Sequence, residues 1–127
     1  YKENIVEISD EDVNAFDSLI PSKYNYKEDT QKELCYGFIS EDADVKMPTV
    51  CLYKNDEPES IKYQHMISLL SASNKKLRGR VSDLENTATS LHQRNIELEN
   101  SYKDQSLRME ELEARLARLE ALLSPSI

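Results

Sequence analysis

The chain has 127 residues with 24 acidic side chains against 16 basic ones, a formal charge of −8, and 39% hydrophobic residues. That balance argues against nucleic acid or an anionic membrane as the main partner, and no apolar run or signal-peptide pattern offers a membrane span or a secretory address. An intracellular setting, cytoplasm or nucleus, is therefore expected. The chain opens on Tyr1 rather than methionine, which reads as a processed product or a piece of a longer protein whose other domains carry further activity.

Residues 1–20 hold a compact apolar pattern in acidic surroundings. Ser9 followed by Asp12 predicts a capping box, and Asp10, Glu11 and Asp12 suit the positive end of a short helix that Pro21 closes. Val13, Phe16, Leu19 and Ile20 then share one face. That face either docks in a partner's groove, as acidic amphipathic helices do, or packs on the chain itself. The second is the expected reading, because a short apolar face beside an oligomeric helix finds cover nearby. Residues 22–33, with Tyr24 and Tyr26 among charges, predict a loop.

Two segments rich in β-branched and aromatic residues follow, Leu34–Ile39 and Thr49–Tyr53, with turn-like composition from Ser40 to Pro48. They predict a β-hairpin, too small to stand alone. Cys35 and Cys51 fall one in each strand. In an acidic chain without secretory features they are expected as free thiols. No metal site is expected, since His65 and His92 lie apart at outer helix positions. Nor does the sequence bring a histidine and an orienting acid to either cysteine, or supply a phosphate-binding loop from Gly37 and Gly79 alone. An enzyme is not expected, and no cofactor is implied.

Asn55-Asp56-Glu57-Pro58-Glu59 suggests the entry to a long helix beginning near Pro58, because proline is tolerated in a first turn and carboxylates favour the positive helix end. Ser124-Pro125 should stop it after Leu123, for a length of about 100 Å at the rise of an α-helix. Within it, apolar residues recur every 3.5 positions. With Ile67 as position a, the a series is Ile67, Asn74, Val81, Ala88, Asn95, Tyr102, Met109, Leu116 and Leu123. The d series is Leu70, Leu77, Leu84, Leu91, Leu98, Gln105, Leu112 and Leu119. Such a repeat predicts a left-handed coiled coil.

The flanking charges predict its direction. In a parallel, in-register coiled coil each g residue faces the e residue five positions later on the neighbour. Here the charged pairs are Arg80 with Glu85, Arg94 with Glu99, Arg108 with Glu113, and Arg115 with Glu120, all opposite in sign. An antiparallel arrangement would oppose like charges. Strand number is less strongly determined. Asn74 and Asn95 at a favour a homodimer, whereas the spacing arginine, apolar, two free positions, apolar, glutamate, complete at Arg80–Glu85, Arg108–Glu113 and Arg115–Glu120, resembles a motif of short three-stranded coiled coils and favours a homotrimer. The dimer is the preferred expectation.

Ile61, Tyr63, Met66 and Leu69 widen the apolar face at the start of the helix beyond what the seam needs, so an upstream segment should cover them. The cluster Lys75-Lys76-Leu77-Arg78-Gly79-Arg80 offers a leucine-zipper basic region or a nuclear-import signal as minor readings and is expected chiefly as solvated surface with Arg80 in an interchain pair. The heptads already run through it, so the helices cannot fork onto DNA there. The expected architecture is mainly α: an acidic head or docking segment over 1–57, containing a short helix and a hairpin and packed on the N-terminal end of the long helix; a parallel coiled coil over 58–123; and a tail at 124–127. The expected function is non-enzymatic homo-oligomerisation and protein–protein interaction, as scaffold, adaptor or structural assembly protein, with a further protein partner. The alternative is the oligomerisation region of a transcription regulator, with Phe16–Ile20 as a coactivator-binding motif.

Overall fold

The computed structural model describes residues 1–124. The chain divides into two compact units, 1–80 and 81–127.

In the first unit, α1 (Asp10–Asp17) opens with the expected capping box. Ser9 Oγ accepts from the Asp12 N–H at 3.1 Å, and the Ser9 N–H donates to Asp12 Oδ2 at 3.3 Å. The helix ends before Pro21 is reached, at Ser18, whose Oγ donates to the Ala15 carbonyl at 2.6 Å. Strand β1 (Ser22–Tyr24) pairs antiparallel with β2 (Cys35–Gly37), opposing Lys23 to Tyr36. After α2 (Ser40–Lys46) and a single 3₁₀ turn, Pro48–Val50, strand β3 (Cys51–Lys54) pairs antiparallel with β4 (Glu57–Ile61). The long helix α3 runs Tyr63–Leu123, 61 residues.

Three local expectations are corrected here. The two sequence-predicted strands do not pair with each other: each forms its own two-stranded sheet with a strand the sequence hides, β1 in the supposed loop and β4 in the supposed helix entry. Asn55 and Asp56 explain the second case. Their φ values of 50° and 61° place both in the left-handed region, which asparagine and aspartate tolerate and which a two-residue hairpin turn requires. They therefore fold the chain back as a hairpin instead of starting a helix. Pro58 lies in β4 and not in a first helical turn; the register shift between Leu52 and Tyr53 leaves Glu59 unopposed, so Pro58 faces Tyr53 beside a bulge, where a missing N–H is tolerated.

The third correction concerns Ser40–Pro48, which is helical over Ser40–Lys46 and not a turn. Glu41 and Asp42 occupy its first turn, Lys46 its last, and Lys46 Nζ pairs with Asp42 at 3.0 Å one turn back. Lys46 also donates to the Ser18 carbonyl at 3.0 Å, tying α2 to the end of α1.

The core is small and joins α1, α2, the β3–β4 hairpin and α3. Leu19, Ala43, Met47, Val50, Cys51 and Ile61 pack with Met66 and Leu69 of α3, and Phe16 and Phe38 lean on them. The upstream segments thus cover Met66 and Leu69 at the start of α3, forming a head on its N-terminal end, whereas Tyr63 stays 47% exposed and Ile61 ends β4 instead of lying on the helix. The backbone seals the junction: the Lys62 N–H donates to the Val50 carbonyl at 2.7 Å, and Lys62 Nζ to the Thr49 carbonyl at 3.2 Å. Tyr63 OH accepts from the Phe38 N–H at 3.3 Å. A Cβ on Gly37 would crowd this hydroxyl, so a larger residue there would require the Tyr63 side chain to shift.

The second unit contains the remainder of α3. No described residue in it is buried. The helix closes at Ser124, whose N–H and Oγ both reach the Glu120 carbonyl, at 3.0 and 3.2 Å. The tail expected at 124–127 lies, beyond Ser124, outside the described residues. Among the described residues no helix is long and apolar enough to cross a membrane.

Candidate functional site

Two faces of α3 have different fates. In the first unit Met66 and Leu69 are buried in the head, Ser73 and Lys76 are half-buried at its margin, and Ile67, Leu70, Asn74 and Leu77 are exposed. In heptad terms the head occupies the g and c positions and leaves a and d open. Polar contacts hold it there. Ser73 Oγ donates to Asp17 Oδ1 at 2.6 Å, and Lys76 Nζ donates to Asn14 Oδ1 at 3.1 Å and lies 3.7 Å from Asp10 Oδ1. Lys76 of the basic cluster thereby serves to anchor α1.

In the second unit the same seam continues exposed through Val81, Leu84, Ala88, Leu91, Asn95, Leu98, Tyr102, Gln105, Met109, Leu112, Leu116, Leu119 and Leu123. A single helix cannot cover one of its own stripes, so this surface is unsatisfied within one chain. The charged flanks cannot pair internally either. A residue five positions on lies about 140° around the same helix, so Arg80 and Glu85, Arg94 and Glu99, Arg108 and Glu113, and Arg115 and Glu120 point apart. Among the described residues Arg108 instead meets Asp104 at 3.5 Å, one turn back.

Of the side chains offered as a docking face, Val13 and Leu19 are buried, 3% and 5% exposed, and Phe16 packs partly against the core. Ile20 alone stands out, 59% exposed. Both cysteines are free thiols. Cys51 is buried, and desolvation foremost, with Asp44 adding, pushes its thiol up from the ordinary range; a thiol held protonated is a poor nucleophile. No group of three or more potential metal ligands occurs among the described residues. Two tyrosines are perturbed. Tyr24, edge-on to Tyr26 with ring centres 5.5 Å apart, is pushed up to about 12 chiefly by its hydrogen bond with Tyr26. Tyr53 OH donates to Asp44 Oδ1, which holds the phenol at about 12.

Where the head meets α3 there is a groove of about 430 Å³ walled by Phe16, Leu19 and Phe38 on one side and by Ile67 and Leu70 on the other, with Asp17 at its rim. Its second wall is the seam. The signal for this contact is present in the spacing of Met66, Leu69, Ser73 and Lys76, a second stripe offset from the first; its polar half hides it. No protein-family model, curated protein or solved structure matches the chain.

Proposed function

We propose that this chain is a non-enzymatic homo-oligomerisation and protein–protein interaction protein, a scaffold, adaptor or structural assembly component, in which a parallel coiled coil gathers copies of the head. One observation carries the reading: the a/d seam is solvent-exposed in a single chain from Ile67 to Leu123, while the residues of α3 that the head buries, Met66 and Leu69, lie on g and c. An uncovered seam of this length calls for a matching helix, and a second copy is the partner whose charges fit it. Four g–e′ pairs of opposite sign support parallel alignment, and Asn74 and Asn95 at a support two strands over three. Gathering heads multiplies weak contacts with a further protein through effective concentration. The coactivator-binding alternative loses support, because Val13 and Leu19 are committed to the head's own interior.

Sedimentation equilibrium of the intact chain tests this. The expected mass is twice that of the monomer, with three times as the alternative strand number. A monomer at micromolar concentration would overturn the reading.

A further inference from the structure

We infer that the head is not only gathered by the coiled coil but completes it: Asp17 of one chain is the ion-pair partner of Arg78 on a second copy. The inference rests on the parallel coiled coil proposed above, and its starting point is a gap in the charge pattern. Arg78 occupies an e position, so in parallel register it faces the g residue five positions earlier on the neighbour, Ser73. From Arg80 onward the charged g residues meet glutamates, but this earlier pair joins an arginine to a hydroxyl. The heptads alone leave Arg78 without an acid.

The head supplies one. Asp17, at the end of α1, reaches that g position, with its Oδ1 accepting from Ser73 Oγ at 2.6 Å. Among the described residues Asp17 Oδ2 has no hydrogen bond and Arg78 no ion pair. The carboxylate therefore presents an open oxygen at the place where the arginine of a second copy arrives. The apolar surface agrees with the charge. A knob from a second copy's Ile67 enters the hole formed by Tyr63, Met66, Ile67 and Leu70; Ile67 and Leu70 are also a wall of the groove whose opposite wall is Phe16, Leu19 and Phe38. The groove is thus continuous with the seam, and its natural occupant is the neighbour's helix. Because a parallel in-register assembly places g against e′, the pairing is the same for two strands or three.

The test is a mixed-chain crosslink in a background with Cys35 and Cys51 replaced by serine. One chain carries Asp17→Cys and the other Arg78→Cys; they are unfolded together, refolded and oxidised. Neither chain can close this disulfide alone. Asn95→Cys in the same background, which should crosslink across the axis of any parallel in-register assembly, is run alongside. The expected result is a covalent species joining the two different chains through the two introduced thiols. If Asn95→Cys crosslinks and the mixed pair does not, the coiled coil stands and the head's role in it is overturned; if neither crosslinks, the parallel coiled coil itself fails. Charge exchange adds a second readout: Asp17→Arg and Arg78→Asp should each weaken association roughly tenfold and the double variant should recover most of it, whereas Ser73→Ala, which spares both charges, should change it less than roughly threefold.

Discussion

Leu84 and Leu107 provide a controlled comparison, since each is 66% exposed in the single chain but Leu84 lies at d of the seam and Leu107 at f. Truncating either to alanine removes the same atoms and slightly favours the helix to the same degree. If the chain acts alone the two changes are equivalent, each within about 0.5 kcal/mol of neutral. If the seam is a packed interface, Leu84→Ala leaves a cavity costing about 2–5 kcal/mol in each chain. Counted twice in a dimer, the lower figure of about 4 kcal/mol corresponds to a dissociation constant raised roughly a thousandfold. Sedimentation equilibrium gives that constant, and thermal unfolding by far-UV circular dichroism at several concentrations gives the same ordering through the melting temperature. Equal effects from the two variants, of any size, would refute the seam.

Other consequences follow from single residues. In the proposed coiled coil Asn95→Leu would replace a core amide with an apolar group, so it should raise the melting temperature while broadening the mass distribution beyond one strand number, read by light scattering across a dilution series. Asp56→Gly places the residue best suited to φ = 61° in the β3–β4 turn; relief of left-handed strain should outweigh the added freedom of the unfolded chain and stabilise the head by roughly a few tenths of a kcal/mol, seen as a higher urea midpoint at constant slope. Tyr53 has its folded-state value raised from 10.0 to about 12 by Asp44, so the stability this bond contributes is complete below pH 10 and is lost as pH rises through about 12. Tyr53→Phe should delete one late step, near pH 12, from the tyrosine absorbance titration, leaving that of Tyr24; loss of a step near the ordinary value of 10.0 instead would mean the Asp44 bond does not form.

What is legible in the sequence, and what is not, divides along the same physical line. The capping box at Ser9, the end of α3 at Leu123 and the helical character of the heptads depend on residues within a turn or two of one another, and there local rules suffice. Strand pairing is not local, and composition misleads. Cys35–Gly37 and Cys51–Lys54 are recognisable as strands by their residue types, but partners such as Glu57–Ile61, with its proline and two glutamates, have no strand propensity of their own. They are extended because Asn55-Asp56 turns the chain and because Ile61 must reach the core beside Met66. Likewise Ser40–Lys46 resembles a turn by its acids, yet those acids are what its helix termini require, and buried Ala43 fixes it in place.

The head's position follows from a competition between two stripes on one helix. The a/d seam repeats every 3.5 residues from Ile67 to Leu123, while the g/c stripe of Met66, Leu69, Ser73 and Lys76 turns polar within three turns and then ends. A head that covered the seam would gain leucines but would have to forgo any assembly through them; covering the flank gains only Met66 and Leu69 in apolar burial, supplemented by the bonds of Asp17 and Asn14. Two apolar side chains and a pair of exposed polar contacts are a modest anchor, worth roughly a few kcal/mol at most. The head therefore depends on the closely packed Ala43, Val50 and Cys51 for its integrity, whereas α3 beyond Leu77 has no buried described side chain and, in the proposed assembly, would draw its stability from a matching helix. A 61-residue helix with that exposure profile is compatible with a coiled-coil rod, since helices in proteins draw most of their stability from packing an apolar face and little from propensity.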